Sequence, residues 1–78
     1  MTSNHFNLYD GKVNRLMHIV ALPEISLLKS LGLRLGTSVK IQNRYRLGGP
    51  ILLRVEDSFS VAVGKDVAKQ ISVSEVKE

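Results

Sequence analysis

The stretch LLKSLGLRLGTSV, residues 27–39, decides the fold, because a helix pattern ends within it and a strand pattern begins. Gly32 directly follows the last helical apolar residue, where a left-handed cap is commonly glycine because glycine has no Cβ to clash. Gly36 marks a second tight turn before the next strand. The apolar side chains of the predicted helix recur at helical spacing: Ile25, Leu28 and Leu31, with Leu27 beside them.

Upstream of the helix, residues 12–22 (KVNRLMHIVAL) are rich in β-branched and long apolar side chains and predict a strand. Val13, Leu16 and Ile19 cannot share one face of a regular strand, so we expect a bulge or a bend within it. Pro23 ends this strand and suits the first position of the following helix.

Downstream of the helix, the chain alternates as in a β meander. In residues 37–46, Val39 and Ile41, with Tyr45, are expected to face the core, and the basic side chains between them to face solvent. The remaining segments follow in order: the LGGP turn at 47–50, strands at 51–56 and 59–63, one helical turn at 65–69 and a last strand at 71–73.

These segments predict a mainly β fold, a small closed or partly open barrel of about five strands. One short helix follows the first strand, and a helical turn precedes the last. The barrel domain is expected at residues 11–74, with Phe59 filling its core. Residues 1–10 are expected to be a tail or a lead-in that packs one aromatic side chain on the barrel, and residues 75–78 a C-terminal tail.

Composition is that of a small globular domain. A domain near 78 residues holds one modest core, since it buries only about 60% of the surface of its unfolded chain. No apolar run approaches the roughly 20 residues that cross a bilayer, and no export signal opens the chain. Cysteine is absent, which excludes disulfides and thiolate chemistry. We therefore expect a cytoplasmic protein with no direct membrane insertion.

Catalytic and metal-binding patterns are missing from the sequence. His5 and His18 lie far apart in the chain, and no G-x-S-x-G elbow accompanies them. Gly64-Lys65 is followed by Asp66 instead of Ser or Thr, so the P-loop pattern is not met. We therefore expect neither an enzyme nor a protein with a cofactor. The sequence leaves open only a transition metal that binds weakly or bridges an interface.

The formal net charge of +4 makes nucleic-acid binding an alternative function. Its basic face would consist of Lys40, Arg44, Arg46 and Arg54, with Tyr45 placed to stack a base. These residues form no dense basic run, and a solvated basic face is the simpler interpretation.

Taken together, the glycine-marked segments resemble the ferrous iron transport protein A (FeoA) family. The resemblance covers about residues 11–73, and the order and spacing of its segments make it fairly specific. The residues before Gly11 depart from the usual short start of the family. The matching segments are Leu27-Leu28-x-x-Leu31-Gly32-Leu33-x-x-Gly36-Thr37-x-Val39, Leu47-Gly48-Gly49-Pro50-Ile51, and Val61-Ala62-Val63-Gly64 with Ala68 and Ile71-x-Val73.

This resemblance implies an SH3-like barrel and a non-catalytic accessory role in bacterial ferrous iron uptake. The partner that it implies is FeoB, the ferrous-iron permease with a cytoplasmic G-protein domain, which would recruit the chain to the inner face of the membrane. The same barrel occurs in diphtheria-toxin-repressor-type metal regulators, so a metal-sensing domain is a further alternative. Because SH3-like barrels bind peptides between their loops, the candidate partner-binding residues are Leu27, Leu31, Leu47, Gly48, Gly49 and Pro50.

Overall fold

A computed structural model describes residues 5–76 and shows a mainly β domain. Its six strands are β1 (His5–Asn7), β2 (Leu16–Ala21), β3 (Ser38–Arg44), β4 (Ile51–Val55), β5 (Phe59–Val63) and β6 (Ser72–Glu75). They form one antiparallel sheet in the order β1-β6-β2-β3-β4-β5. Two short helices, α1 (Ser26–Ser30) and α2 (Lys65–Ala68), and a 3₁₀ turn at Leu8–Asp10 complete the fold. The predicted SH3-like small β fold is confirmed.

The core takes buried side chains from five of the strands and from both helices. Met17 and Ile19 come from β2, Val73 comes from β6, and Leu28 and Ala68 come from α1 and α2. Each fully buried side chain of Leu, Ile, Val or Met stabilises the fold by about 1.5–3 kcal/mol. The central hairpin contributes most of the remaining core: Val39, Ile41, Ile51, Leu53 and Val55.

The strand that the sequence did not predict is β1. It pairs with β6 in the register Phe6↔Val73, and the following residue, Leu8, is fully buried. Phe6 and Tyr9 are both partly buried against the core, so the lead-in packs two aromatic side chains where one was expected. A strand of three residues is too short for alternation to reveal, which is why the pattern showed about five strands.

The first predicted strand is shorter than residues 12–22. Asn14 has a φ of +67°, so the chain turns there and β2 begins at Leu16. Val13 keeps only an isolated bridge to Ile41. The register with β6 also shifts between Ile19 and Ala21. The expected bend and bulge are therefore both present, and they resolve the conflict between the apolar positions.

Helix α1 ends as predicted and begins later than predicted. Gly32 and Gly36 have φ values of +83° and +86°, the left-handed conformation that favours glycine. Pro23 is not the first helical residue, because Ile25 is the N-cap and donates its N–H to the Pro23 carbonyl. Leu28 is the buried residue of α1.

Strand β3 alternates as expected only as far as Ile41. Val39 and Ile41 are buried, but the register with β4 shifts between Ile41 and Asn43. The shift reverses the alternation, so Tyr45 is 46% exposed and the expectation that it faces the core is wrong. Phe59 is also not a core residue, since it is 41% exposed at the start of β5.

Candidate functional site

An apolar groove lies between the end of β2 and α1. Its volume is about 710 Å³, and it is open to solvent beside Leu35, whose side chain is 67% exposed. Two charged side chains of opposite sign, Glu24 and Lys29, also line it. The apolar lining consists of Val20, Ala21, Leu22, Pro23, Ile25, Leu28, Leu33 and Leu35. We call this feature the α1 groove.

The loop after α1 holds Leu35 in a defined position. Gly36 donates its N–H to the Ile19 carbonyl at 2.7 Å, and Ile19 donates to the Thr37 carbonyl at 3.0 Å. The buried Thr37 hydroxyl accepts the Arg34 N–H at 3.0 Å. The Gly36–Thr37 end of the loop is therefore bonded to β2, and the Thr37 hydroxyl closes the loop on Arg34. Since the loop is already ordered, burial of Leu35 by a partner would cost little loop entropy.

Leu27 in α1 and Leu31, the C-cap residue of α1, lie one turn apart and differ in exposure. Leu27 is 61% exposed, whereas Leu31 packs partly against the core. Residues four apart lie on the same side of a helix. The two candidate leucines therefore form a single ridge whose Leu27 end is free to contact a partner.

The LGGP turn is a second exposed apolar feature. Leu47 has a fully exposed side chain and a φ of +61°. The turn around it is well anchored, because the Tyr9 hydroxyl donates to the Gly49 carbonyl at 3.1 Å and Tyr45 N–H donates to the Pro50 carbonyl at 3.1 Å. Leu47 therefore projects from a defined turn rather than from a loose loop.

The six candidate residues do not form one site. A Cβ placed on Gly32, at the end of α1, would touch the ring of Phe59 at the start of β5. A Cβ placed on Gly48 would instead meet Lys65, which follows the end of β5. The two ends of β5 are about 13 Å apart, so the α1 groove and the LGGP turn occupy opposite ends of the β4–β5 hairpin.

The basic residues of the nucleic-acid alternative do not share one free face. Arg44 turns inward over the Tyr9 ring and donates to the backbone carbonyls of Tyr9 and Gly11. Lys40 and Arg54 are cross-strand partners, and Arg54 lies 3.9 Å from the Asp57 carboxylate. The expectation that Arg44 belongs to a solvated outer face is therefore wrong, because the register shift in β3 redirects it.

The two histidines, far apart in sequence, come to the same row of the sheet. Ser74 of β6 pairs with His5 on one side and with His18 on the other. One strand separates them, so their backbones lie about 10 Å apart. Within residues 5–76, no group of three His, Cys, Asp or Glu side chains is placed to hold a metal ion.

Sequence reasoning missed Leu35 and the cluster around Tyr9. Leu33 and Leu35 look equivalent in the LGLRLG pattern, yet Leu33 is fully buried and Leu35 is exposed. Two cations lie over the Tyr9 ring, with Arg44 at 5.6 Å and Lys65 at 5.8 Å from the ring centroid. No local signal marks this cluster, because its members come from three separate parts of the chain.

Chemically, the α1 groove offers apolar contact area with few polar groups. Ser26 supplies the side-chain hydroxyl of its lining and Glu24 the carboxylate. Such a surface is suited to binding an apolar side chain or an amphipathic segment of another protein. No helix within residues 5–76 has the length and apolar character that a membrane crossing requires.

Known proteins resemble this chain over nearly its whole length. Residues 7–75 match the FeoA domain family. The crystal structure of an iron uptake regulatory protein (FeoA) superposes with a TM-score of 0.83 at 22% identity, covering 94% of this chain and 99% of that one. A FeoA-like protein from Clostridium acetobutylicum, solved by NMR, superposes with a TM-score of 0.81 at 26% identity over 100% of this chain and 93% of that one.

A longer protein contains the same fold. A manganese-dependent transcriptional repressor superposes with a TM-score of 0.84 at 18% identity. The match covers 97% of this chain and 44% of the repressor, so this chain corresponds to less than half of that protein. The likeness is one of fold. Among curated proteins, none matches this sequence significantly.

Proposed function

The chain belongs to the FeoA domain family, and on this basis we propose that it is a non-catalytic accessory protein of bacterial ferrous iron uptake. Its partner in this proposal is the cytoplasmic part of a FeoB-type permease, which includes a G-protein domain. The structural likeness to an iron uptake regulatory protein supports the uptake role. Docking on the permease would hold the chain at the inner face of the cell membrane.

The observation that carries the docking proposal is the exposure of leucines that the core does not use. Leu27 and Leu35 are 61% and 67% exposed. Leu35 lines the mainly apolar groove, and Leu27 lies on α1 between two of its lining residues, Ser26 and Leu28. Single exposed leucines are ordinary on protein surfaces, but leucines beside a formed groove mark a place where a partner can bury them. We therefore assign the permease-binding surface to the α1 groove with Leu27 and Leu35.

The energetic contribution of this surface is large enough to decide binding. Burial of one leucine side chain contributes about 1.5–3 kcal/mol. Interfaces usually depend on a few such buried anchors, surrounded by contacts that exclude water. Glu24 and Lys29 at the groove leave it with no net charge, so we expect binding there to depend weakly on salt.

Binding to the purified permease in nanodiscs tests the proposal. The wild-type chain and the double variant Leu27→Glu/Leu35→Glu would be titrated by biolayer interferometry against the permease in its GDP-bound and GTP-bound states. We expect the double variant to raise the dissociation constant at least roughly tenfold, about 1.4 kcal/mol. Both positions are exposed, so circular dichroism should show an unchanged fold.

Leu47→Glu is the matched control. Leu47 is as exposed as any leucine of the chain but lies at the opposite end of the β4–β5 hairpin. Retained binding of this variant, with loss in the double variant, supports the α1 groove. Loss caused by Leu47→Glu alone would move the contact to the LGGP turn. Failure of the wild-type chain to bind in either nucleotide state would overturn the proposed partner.

A further inference from the structure

Strand β5 has one paired edge and one open edge. It pairs with β4 without interruption, from Val55↔Phe59 to Ile51↔Val63, and is the last strand in the order of the sheet. Within residues 5–76, no backbone hydrogen bond joins the other edge of β5 to any segment. An open edge of this kind is a template for a further strand.

The backbone geometry shows which groups point out of this edge. Glu56 donates its N–H to Ser38 of β3, while the Val55 carbonyl accepts from Ser58 on the β5 side. Odd-numbered residues of β4 therefore face β5, since backbone groups alternate in direction along a strand. In β5, the N–H and C=O groups of the odd-numbered residues form hydrogen bonds with β4. The N–H and C=O groups of Ser60 and Ala62 therefore point away from β4, out of the sheet edge.

The β5 strand itself contains none of the sequence features or bulges that usually prevent strand pairing. Proteins protect open edges with lysine, proline, bulges or a covering segment. The sequence of β5 is FSVAV, with no charge and no proline, and its pairing with β4 contains no register shift. Phe59 and Val61 are also only partly buried, so a neighbouring strand would remove apolar surface from water.

We propose that this edge pairs with β5 of a second copy of the chain. The two strands would run antiparallel about a two-fold axis at Val61, with Ser60 of one copy opposite Ala62 of the other. This register brings the outward N–H and C=O groups of both residues into hydrogen-bonded pairs. It also places Val61 against Val61 and Phe59 beside Val63 on the partly buried face.

The charges at the two ends of β5 favour a second copy in this orientation. Asp57 precedes the strand with a side chain 98% exposed, and Lys65 follows the strand. Antiparallel pairing about Val61 brings the Asp57 end of each copy to the Lys65 end of the other. A parallel pairing would bring like charges together, which is unfavourable. Within residues 5–76, Lys65 has no carboxylate within 4.0 Å and lies over the Tyr9 ring, and Asp57 lies 3.9 Å from Arg54, so a pair between copies would add to contacts that are already present.

The expected association is weak. Two five-residue strands form an interface at or below the low end of specific complexes, about 1,200 Å². The net charge of +4 on each copy opposes association at low salt. We therefore expect a monomer–dimer equilibrium that favours the dimer only at high protein concentration, and more strongly at moderate than at low salt.

Sedimentation equilibrium of the full chain, from micromolar to millimolar concentration, tests the proposal. Ala62→Pro removes an outward N–H that β4 does not use, a position that an edge strand tolerates. We expect it to raise the dimer dissociation constant at least roughly tenfold. Asp57→Lys should weaken the dimer by placing like charges together, and Asp57→Lys/Lys65→Glu should restore it.

The matched controls separate this interface from the α1 groove. Ala62→Ser retains every backbone group and should leave association unchanged, and a thermal melt of each variant checks its fold. Leu27→Glu/Leu35→Glu should still dimerise, at least as tightly as the wild-type chain because it lowers the opposing net charge, whatever its effect on permease binding. A chain that stays monomeric at millimolar concentration, or a dimer that neither Ala62→Pro nor Asp57→Lys weakens, overturns the proposal.

Discussion

Gly32 lies in direct contact with the ring of Phe59. A Cβ placed on Gly32 would stand 3.0 Å from Phe59 Cζ, and the glycine has a φ of +83°. The end of α1 is thereby seated on the start of β5. One residue both ends the helix and leaves room for the aromatic ring, so the position of the α1 groove depends on it.

Gly32→Ala should destabilise the domain more than Gly36→Ala. Both glycines are left-handed, which costs a non-glycine residue roughly 1–2 kcal/mol. No atom lies within 4 Å of a Cβ on Gly36, whereas a Cβ on Gly32 must displace the Phe59 ring. Urea unfolding of both variants measures the difference. Equal losses of unfolding free energy would show that the ring moves aside without cost.

Tyr9→Phe should loosen the LGGP turn. The variant removes the hydroxyl that donates to the Gly49 carbonyl, a bond worth about 0.5–1.5 kcal/mol. It retains the aromatic ring that Arg44 and Lys65 contact. Amide hydrogen exchange should become faster in residues 45–50. Tyr45→Phe is the control, since the Tyr45 hydroxyl makes no hydrogen bond within the described part of the chain, and unchanged exchange in Tyr9→Phe would contradict the prediction.

Arg44→Ala should lower the free energy of unfolding by about 1–2 kcal/mol, because hydrogen bonds from charged groups are stronger than neutral ones. The guanidinium donates to two carbonyls and lies over the Tyr9 ring. Lys40→Ala removes an exposed charge of the same strand and should change stability by no more than about 0.5 kcal/mol. Thermal unfolding of the pair measures both, and similar losses would show that Arg44 has no structural role.

Nucleic-acid binding should be undetectable even at low salt. Phosphate contacts need several free cations on one surface, but Arg44 faces the Tyr9 and Gly11 carbonyls and Arg54 has Asp57 beside it. Fluorescence anisotropy with single-stranded and double-stranded oligonucleotides checks this. Binding that weakens steeply with added salt, and that Lys40→Ala reduces, would restore the alternative function.

Local sequence patterns predict the structure correctly where the conformation of a segment depends on its own residues. The sequence predicts a left-handed cap at Gly32 and a tight turn at Gly36, and both glycines have a positive φ, which glycine adopts without a Cβ clash. The inward direction of Val39 and Ile41 followed from strict alternation. The pattern failed at Tyr45 because the bulge before Asn43 is visible only in the pairing of β3 with β4.

The candidate site was less predictable than the fold. The exposure of Leu27 was compatible with its choice as a partner-binding residue, but Leu35 was missed and the LGGP turn lies at the other end of the hairpin. The leucines that remain exposed for a partner are those that the core does not bury. Leu33 and Leu35 have the same neighbours in sequence and opposite positions in the fold, so no local rule separates them.

The sequence by itself determined the order of the strands after α1, the turns between them and the family to which the chain belongs. These properties depend on backbone preferences and alternation within a few residues. Tertiary structure alone decided the pairing of β1 with β6, the inward turn of Arg44, the separation of the two leucine surfaces and the open edge of β5. Each of these depends on contacts between residues far apart in the chain, and such contacts exist only after the sheet has formed.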